Sequence, residues 1–210
     1  MYFAFARRAG PESCGCLLPV VSQRETMPAY ILTGAPGSGK TAILRQLEID
    51  GHAVVEEAAT DVIALQQALG WPEPWREPGF ADQLLELQRK RQLAAEADAR
   101  GVVFFDRSPV CTLALCRYLD RTAPRHLFEE IERMVAERWY ERTAFFVRHQ
   151  GFVQATAARR VSFEDSVAFE KVHELTYREV GFDLLEVPAA PLLVRVAAVQ
   201  QVVDRLGRLP

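Results

Sequence analysis

The run Gly34-Ala35-Pro36-Gly37-Ser38-Gly39-Lys40-Thr41 has the residue types, in the order, that hold a polyphosphate. Its glycines let successive backbone N–H groups converge on anionic oxygens, and a helix that follows would present its positive N-terminal end to the same point. Lys40 would reach the β- and γ-phosphates, and the Thr41 hydroxyl would ligate Mg²⁺. Only Lys40, Lys90 and Lys171 are lysines among 25 basic side chains, so a lysine at the end of the glycine run is conspicuous. The pattern is G-x-x-x-x-G-K-[ST], a P-loop. It makes Gly34, Ala35, Pro36, Gly37, Ser38, Gly39, Lys40 and Thr41 the candidate nucleotide-binding residues.

Other candidates stand at the ends of apolar runs. Val102-Val103-Phe104-Phe105-Asp106 reads as a buried strand ending in an acid, and Asp106 would face the Mg²⁺ held by Thr41. Arg107 follows at the carboxyl end of that strand, where ligand crevices form and a phosphate is its natural partner. Ser108 before Pro109 reads as a helix N-cap. A second run ends Val54-Val55-Glu56-Glu57 and places one carboxylate of the pair in the same crevice, where a general base for an acceptor hydroxyl belongs. The competing reading is a solvated pair opening the next helix. Arg159 and Arg160 precede a helix begun by Ser162 or Phe163. They read either as a lid that closes over phosphates or as surface arginines in an Arg-rich chain.

The elements that must position these residues follow from the pattern of apolar runs. Strands are expected at Ala29–Thr33, Ala53–Glu56, Val102–Asp106, Ala144–Val147 and Leu184–Val187. Each is short and rich in Val, Ile, Leu or Phe, as in strands buried on both faces. Helical patterns lie at Lys40–Ile49, Asp61–Leu69, Phe80–Arg100, Pro109–Leu119, Arg125–Arg138 and Phe163–Val180, with another after Pro191. The alternation predicts an α/β domain: a five-stranded, mostly parallel sheet sandwiched by helices. Residues 71–79, with three prolines and two tryptophans, read as a loop that either lines an acceptor pocket or is anchored by its rings. Arg89, Lys90 and Arg91 read as a solvated helix face, and His52, His126, His149 and His173 as structural or exposed.

Composition narrows the ligand. With 28 acidic and 25 basic side chains, the formal charge of −3 speaks against a general nucleic-acid binder and for a small-molecule ligand. No window of the sequence approaches the length of apolar chain that spans a bilayer, and the reading is a cytoplasmic protein. Cys14-Gly15-Cys16 lacks the second ligand pair of a zinc site, and Cys111 and Cys116 read as idle or buried thiols. Residues 1–26 show no sustained period. They read as a flexible extension or as sequence upstream of a true start at Met27, with residues 27–210 as the nucleotide-binding domain.

Taken together, Gly34–Thr41, Glu57, Asp106-Arg107-Ser108, the paired arginines and the helix Phe169–Tyr177 resemble the deoxynucleoside kinase and thymidylate kinase group of P-loop proteins. From about Met27 onward the chain also resembles the bacterial AAA-type ATPase family related to nicotinamide riboside kinases. The resemblance implies a kinase-like fold with an arginine lid, ATP with Mg²⁺ as cofactor, and a nucleoside, nucleotide or nicotinamide riboside-like acceptor. It implies Glu57 as the base and Asp106-Arg107 as the acid-Arg pair that places an arginine near that base and the phosphates; with Lys40 on the phosphates and Asp106 on the metal side, Arg107, Arg159 and Arg160 would stabilise the transferring phosphoryl group. Two departures stand out: Ala58-Ala59-Thr60 follows the glutamate where nucleoside kinases carry Pro and Trp, and the acid before Arg-Ser is Asp rather than Glu. The tandem motif and arginine-finger partner of ring-forming motors are missing. The expected function is an ATP-dependent phosphotransferase. The alternative is an ATP- or GTP-binding ATPase or switch that engages a protein or lipid partner.

Overall fold

Five parallel strands form one sheet in the order β2-β3-β1-β4-β5, where β1 is Ala29–Thr33, β2 Ala53–Val55, β3 Val103–Asp106, β4 Thr143–Val147 and β5 Asp183–Val187. The computed structural model describes residues 27–98, 101–151 and 162–207. The expected strands are all present, β1 with the expected ends and the other four with one end shifted by a residue.

The helices are α1 Lys40–Ile49, α2 Ala58–Ala68, α3 Phe80–Asp98, α4 Pro109–Tyr118, α5 Arg125–Ala136, α6 Phe163–Val180 and α7 Leu192–Leu206. Residues of the central strands alternate between two cores, which is why β1, β3 and β4 are apolar along most of their length, whereas the edge strand β5 carries exposed Asp183 and Glu186. Ala29 and Ile31 of β1 and Phe105 of β3 pack with Val110, Leu127, Met134 and Tyr177 from α4, α5 and α6. Tyr30, Leu32 and Phe104 face the other way, against Ile43, Leu44 and Leu47 of α1 and Val196, Val199 and Val203 of α7. A third cluster, Ala58, Val62, Phe80 and Leu84, joins α2 to α3 and flanks the crevice.

Three local expectations change. Helix α2 starts at Ala58, not Asp61, because Glu57 takes an extended N-cap conformation (φ −60°, ψ 125°) and the helix-favouring Ala58-Ala59 can continue from it. The loop after α2 contains a 3-10 turn, Pro74–Arg76, led by proline in the position that suits its fixed φ. Arg89 and Lys90 are exposed as expected, but the face is tethered: Arg89 donates to the buried Glu130 (2.6 Å), and the half-buried Arg91 donates to the Glu56 carbonyl (3.0 Å) and pairs with Asp61. Lys90 is bonded to Glu86 one turn back, on the same exposed face.

Candidate nucleotide and acceptor site

The parallel sheet brings the ends of β1, β2 and β3 to one edge, so residues 33–41, 57 and 106–108 meet there. The loop between β1 and α1 turns through left-handed backbone at Gly34, Gly37 and Gly39. Gly34 could be nothing else, since a Cβ there would collide with the Val147 carbonyl at the end of β4. No side chain caps α1, so its first N–H groups face the loop without a side-chain acceptor. Lys40 is buried in the curl, its Nζ donating to the Gly34 carbonyl (2.9 Å), the Ala35 carbonyl (2.8 Å) and Ser38 Oγ (3.3 Å). From the far side, Ser166 Oγ of α6 donates to the Pro36 carbonyl at 2.8 Å and fixes the loop's outer bend.

Thr41 Oγ1 donates to Asp106 Oδ2 at 3.1 Å across the gap between α1 and β3. The other oxygen, Asp106 Oδ1, is buried and accepts no hydrogen bond among the described residues. Burial, and secondly the Glu57 charge, push the Asp106 carboxyl up to about 6, against the pull of Lys40, Arg107 and Thr41. A hydroxyl and a carboxylate with one unused oxygen are the hard donors that suit Mg²⁺, which takes few protein ligands and fills its shell with water and phosphate.

Arg107 lies in left-handed backbone (φ 75°), a costly position for a non-glycine residue that aims its guanidinium across the crevice. There it pairs with Glu57, whose second oxygen accepts from Thr60 Oγ1 (2.8 Å), and it reaches His173 Nε2 at 3.2 Å. His173 Nδ1 lies 3.0 Å from the Phe169 carbonyl. A carbonyl only accepts, so Nδ1 carries the proton and Nε2 offers its lone pair to Arg107. Burial and the Arg107 charge hold His173 neutral, down at about 3. One turn further along α6, the Tyr177 hydroxyl sits between Ser108 Oγ (2.7 Å) and Cys111 Sγ (3.1 Å), while Ser108 caps α4 through Val110 N.

Beside this pair opens a cavity of about 860 Å³. Its wall includes Pro36 of the loop, Glu57 and Arg107, then Ile63, Leu84 and Leu115, with the rings of Trp75, Phe80, Tyr118 and Phe169. Trp75 therefore lines the cavity, whereas Trp71 is half exposed. Of the residues singled out in the sequence, Lys40, Thr41, Asp106, Arg107 and Glu57 converge, and Glu56 turns away to the exposed Arg45. Arg159, Arg160, Cys14 and Cys16 lie outside the described residues. Sequence reasoning missed His173 and Tyr177 as crevice residues; their signal was a polar side chain at i and i+4 on the buried stripe of α6.

A family model described as an AAA domain matches residues 29–195. The chain belongs to this AAA domain family. No curated protein matches it. Among solved structures, this AAA domain is similar to deoxyadenosine kinase from M. mycoides, bound to the products dCMP and dCDP, at 12% identity and TM-score 0.55, over 84% of this chain and 99% of that one. It is also similar to NadR protein in complex with NR, at 16% identity and TM-score 0.60, covering 88% of this chain and 52% of that one. The AAA domain thus spans about half the length of the NadR chain. A further NadR structure, with NAD and AMP-PNP, aligns at 15% identity and TM-score 0.60, over 88% of this chain and 51% of that one. At these identities the likeness establishes a kinase-like P-loop fold. Among the described residues, no helix is long and apolar enough to cross a membrane.

Proposed function

We propose that this AAA domain is an ATP-dependent phosphotransferase acting on a small hydroxyl-bearing acceptor of nucleoside- or nucleotide-like build. The reading rests on one observation above all: the 860 Å³ cavity has Glu57 and Arg107 in the same wall as Pro36 of the phosphate loop. A cavity with that wall lets a bound alcohol meet a carboxylate and a polyphosphate together. The aromatic rings suit a planar heterocycle, which agrees with the dCMP, dCDP and NR named for the solved relatives.

In this reading the β- and γ-phosphate oxygens take over the Lys40 donors now shared among loop carbonyls and Ser38. Thr41 and Asp106 would hold Mg²⁺, which when bound supplies positive charge across the β- and γ-phosphates. Glu57 accepts a hydrogen bond from the acceptor hydroxyl. As the acceptor oxygen bonds to the γ-phosphorus and the bond to the departing ADP oxygen breaks, the hydroxyl proton passes to Glu57. Arg107, held by Glu57 and His173, supplies charge at the transferring group, and Arg159 and Arg160 would add to it on closure.

The test is ADP formation from Mg-ATP with and without a panel of nucleosides, nucleotides and nicotinamide riboside, beside Lys40→Ala and Glu57→Gln. Acceptor-dependent ADP, lost in Lys40→Ala and reduced in Glu57→Gln with ATP binding intact, is the expected result. ADP indifferent to every acceptor, or nucleotide binding without turnover, refutes transfer and leaves an ATPase or nucleotide-gated switch.

A further inference from the structure

Arg195, in the first turn of α7, is a buried cation with no carboxylate bonded to it among the described residues. It is 3% exposed. Burial lowers its guanidinium from arginine's ordinary range, and no acidic neighbour opposes the shift. Its donors go to neutral acceptors: Nη2 to the Arg148 carbonyl at 3.1 Å, and Nη1 and Nε (3.3 Å) to Gln150, whose amide oxygen faces the guanidinium in the orientation that satisfies both groups. A neutral donor would serve those carbonyl oxygens equally well, and an uncompensated charge in the interior is expensive. Other arginines in this chain are matched: Arg107 by Glu57, Arg148 by Glu170, Glu174 and Glu186, and Arg133 by Glu130 and Glu137.

Where the charge sits suggests what it serves. Arg195 lies against the phosphate loop: a Cβ placed on Gly39 would be 2.9 Å from Nη1. Gly39 is the N-cap of α1, next to Lys40, in left-handed backbone at φ 91°. The guanidinium is therefore within a side-chain's reach of the N–H groups that would take phosphate oxygens, in a region where charges are only weakly screened.

We propose that Arg195 is a further, unassigned part of the nucleotide site, a buried cation whose counter-charge is the polyphosphate on the Gly34–Thr41 loop. This rests on the reading of that loop as a nucleotide site. Arg195 supports the loop from behind through its charge, in addition to the cation at Lys40. It also ties the segment leaving β4, through Arg148 and Gln150, to the loop, so polyphosphate binding and the set of that segment share one side chain.

Two variants of the full chain test this, with titration calorimetry against ATP and tripolyphosphate and with urea unfolding of the ligand-free protein. Arg195→Gln keeps a donor and removes the charge; it should weaken ATP and tripolyphosphate alike by about tenfold. Gln150→Glu leaves Arg195 in place but gives it a permanent carboxylate; it should raise the ligand-free unfolding midpoint and weaken tripolyphosphate several-fold. That opposite movement of stability and affinity is one that a merely structural arginine would not produce. Wild-type affinity for tripolyphosphate in folded Gln150→Glu overturns the proposal even if Arg195→Gln fails to fold. A wild-type chain that binds neither ATP nor tripolyphosphate overturns the nucleotide reading together with this one, whereas wild-type binding that both variants retain overturns this inference alone.

Discussion

Replacing Glu57 by Gln keeps the size of the side chain and removes one charge from the crevice. The partner left behind is Arg107, whose side chain is 9% exposed against 10% for Glu57, so both charges are largely shielded from bulk water. Unit charges about 4 Å apart attract by about 4 kcal/mol at an effective dielectric of about 20, and removing one partner of a buried pair costs about 3–5 kcal/mol. In a domain of this size each kcal/mol moves the melting temperature by about 2–4 °C, so Glu57→Gln should melt roughly 8–15 °C lower. Urea unfolding of Glu57→Gln, Arg107→Met and the double variant separates the pair from its surroundings. The double variant should be more stable than Glu57→Gln alone, with a coupling energy near 3 kcal/mol. A coupling under about 1 kcal/mol, the range of solvent-exposed pairs, would refute the claim that this charge pair is shielded from bulk water.

Acid should reveal two opposing groups. His173, held at about 3 against an ordinary 6.5, refuses a proton that the unfolded chain takes, so stability falls as pH drops below 6.5, by about 2 kcal/mol at pH 5. Asp106, raised to about 6 from 3.8, binds a proton only when folded, so it returns about 1.4 kcal/mol over pH 7 to 5. Wild type should lose little in that window and Asp106→Asn clearly more; denaturant midpoints at the two pH values check it, and an equal loss would contradict the assigned shifts. Gly39→Ala forces a Cβ into left-handed backbone and against Arg195, and should cost about 1–2 kcal/mol of stability while weakening ATP binding well beyond that, as calorimetry would show. Ala59→Trp should fill the cavity and abolish acceptor-dependent turnover with ATP affinity retained, and unchanged turnover would move the acceptor elsewhere.

What the sequence disclosed was local. The phosphate loop is eight consecutive residues whose backbone geometry is dictated by its glycines, and the central strands declared themselves because burial on both faces leaves few polar positions to blur the run. The crevice was only half visible. Asp106 and Glu57 could be placed by strand ends, but the partner of Arg107 could not, since a guanidinium at a strand end fits a phosphate as well as the Glu57 and His173 it meets. The partners of the α3 arginines were hidden for the same reason: Glu130, the buried carboxylate that holds the exposed Arg89, is on α5, and no periodicity in α3 records it. The start of α2 was missed because Glu57, which occupies its N-cap position with no side-chain capping hydrogen bond, is not one of the usual capping residue types.

The hydrogen bond from Ser166 to Pro36 closes a separation of 130 residues, and Arg195 meets Gly39 from further along the chain still. The loop that looks self-contained in the sequence is therefore finished by helices made last. Such distant closures slow folding, because chain entropy is lost before the contacts return it. On the ribosome, a nascent chain that has released β1 and α1 holds the glycine-lysine motif without α6 to set its bend or α7 to back it. Competence to grip a polyphosphate at this loop should thus arrive late and all at once, only in chains that have released α7.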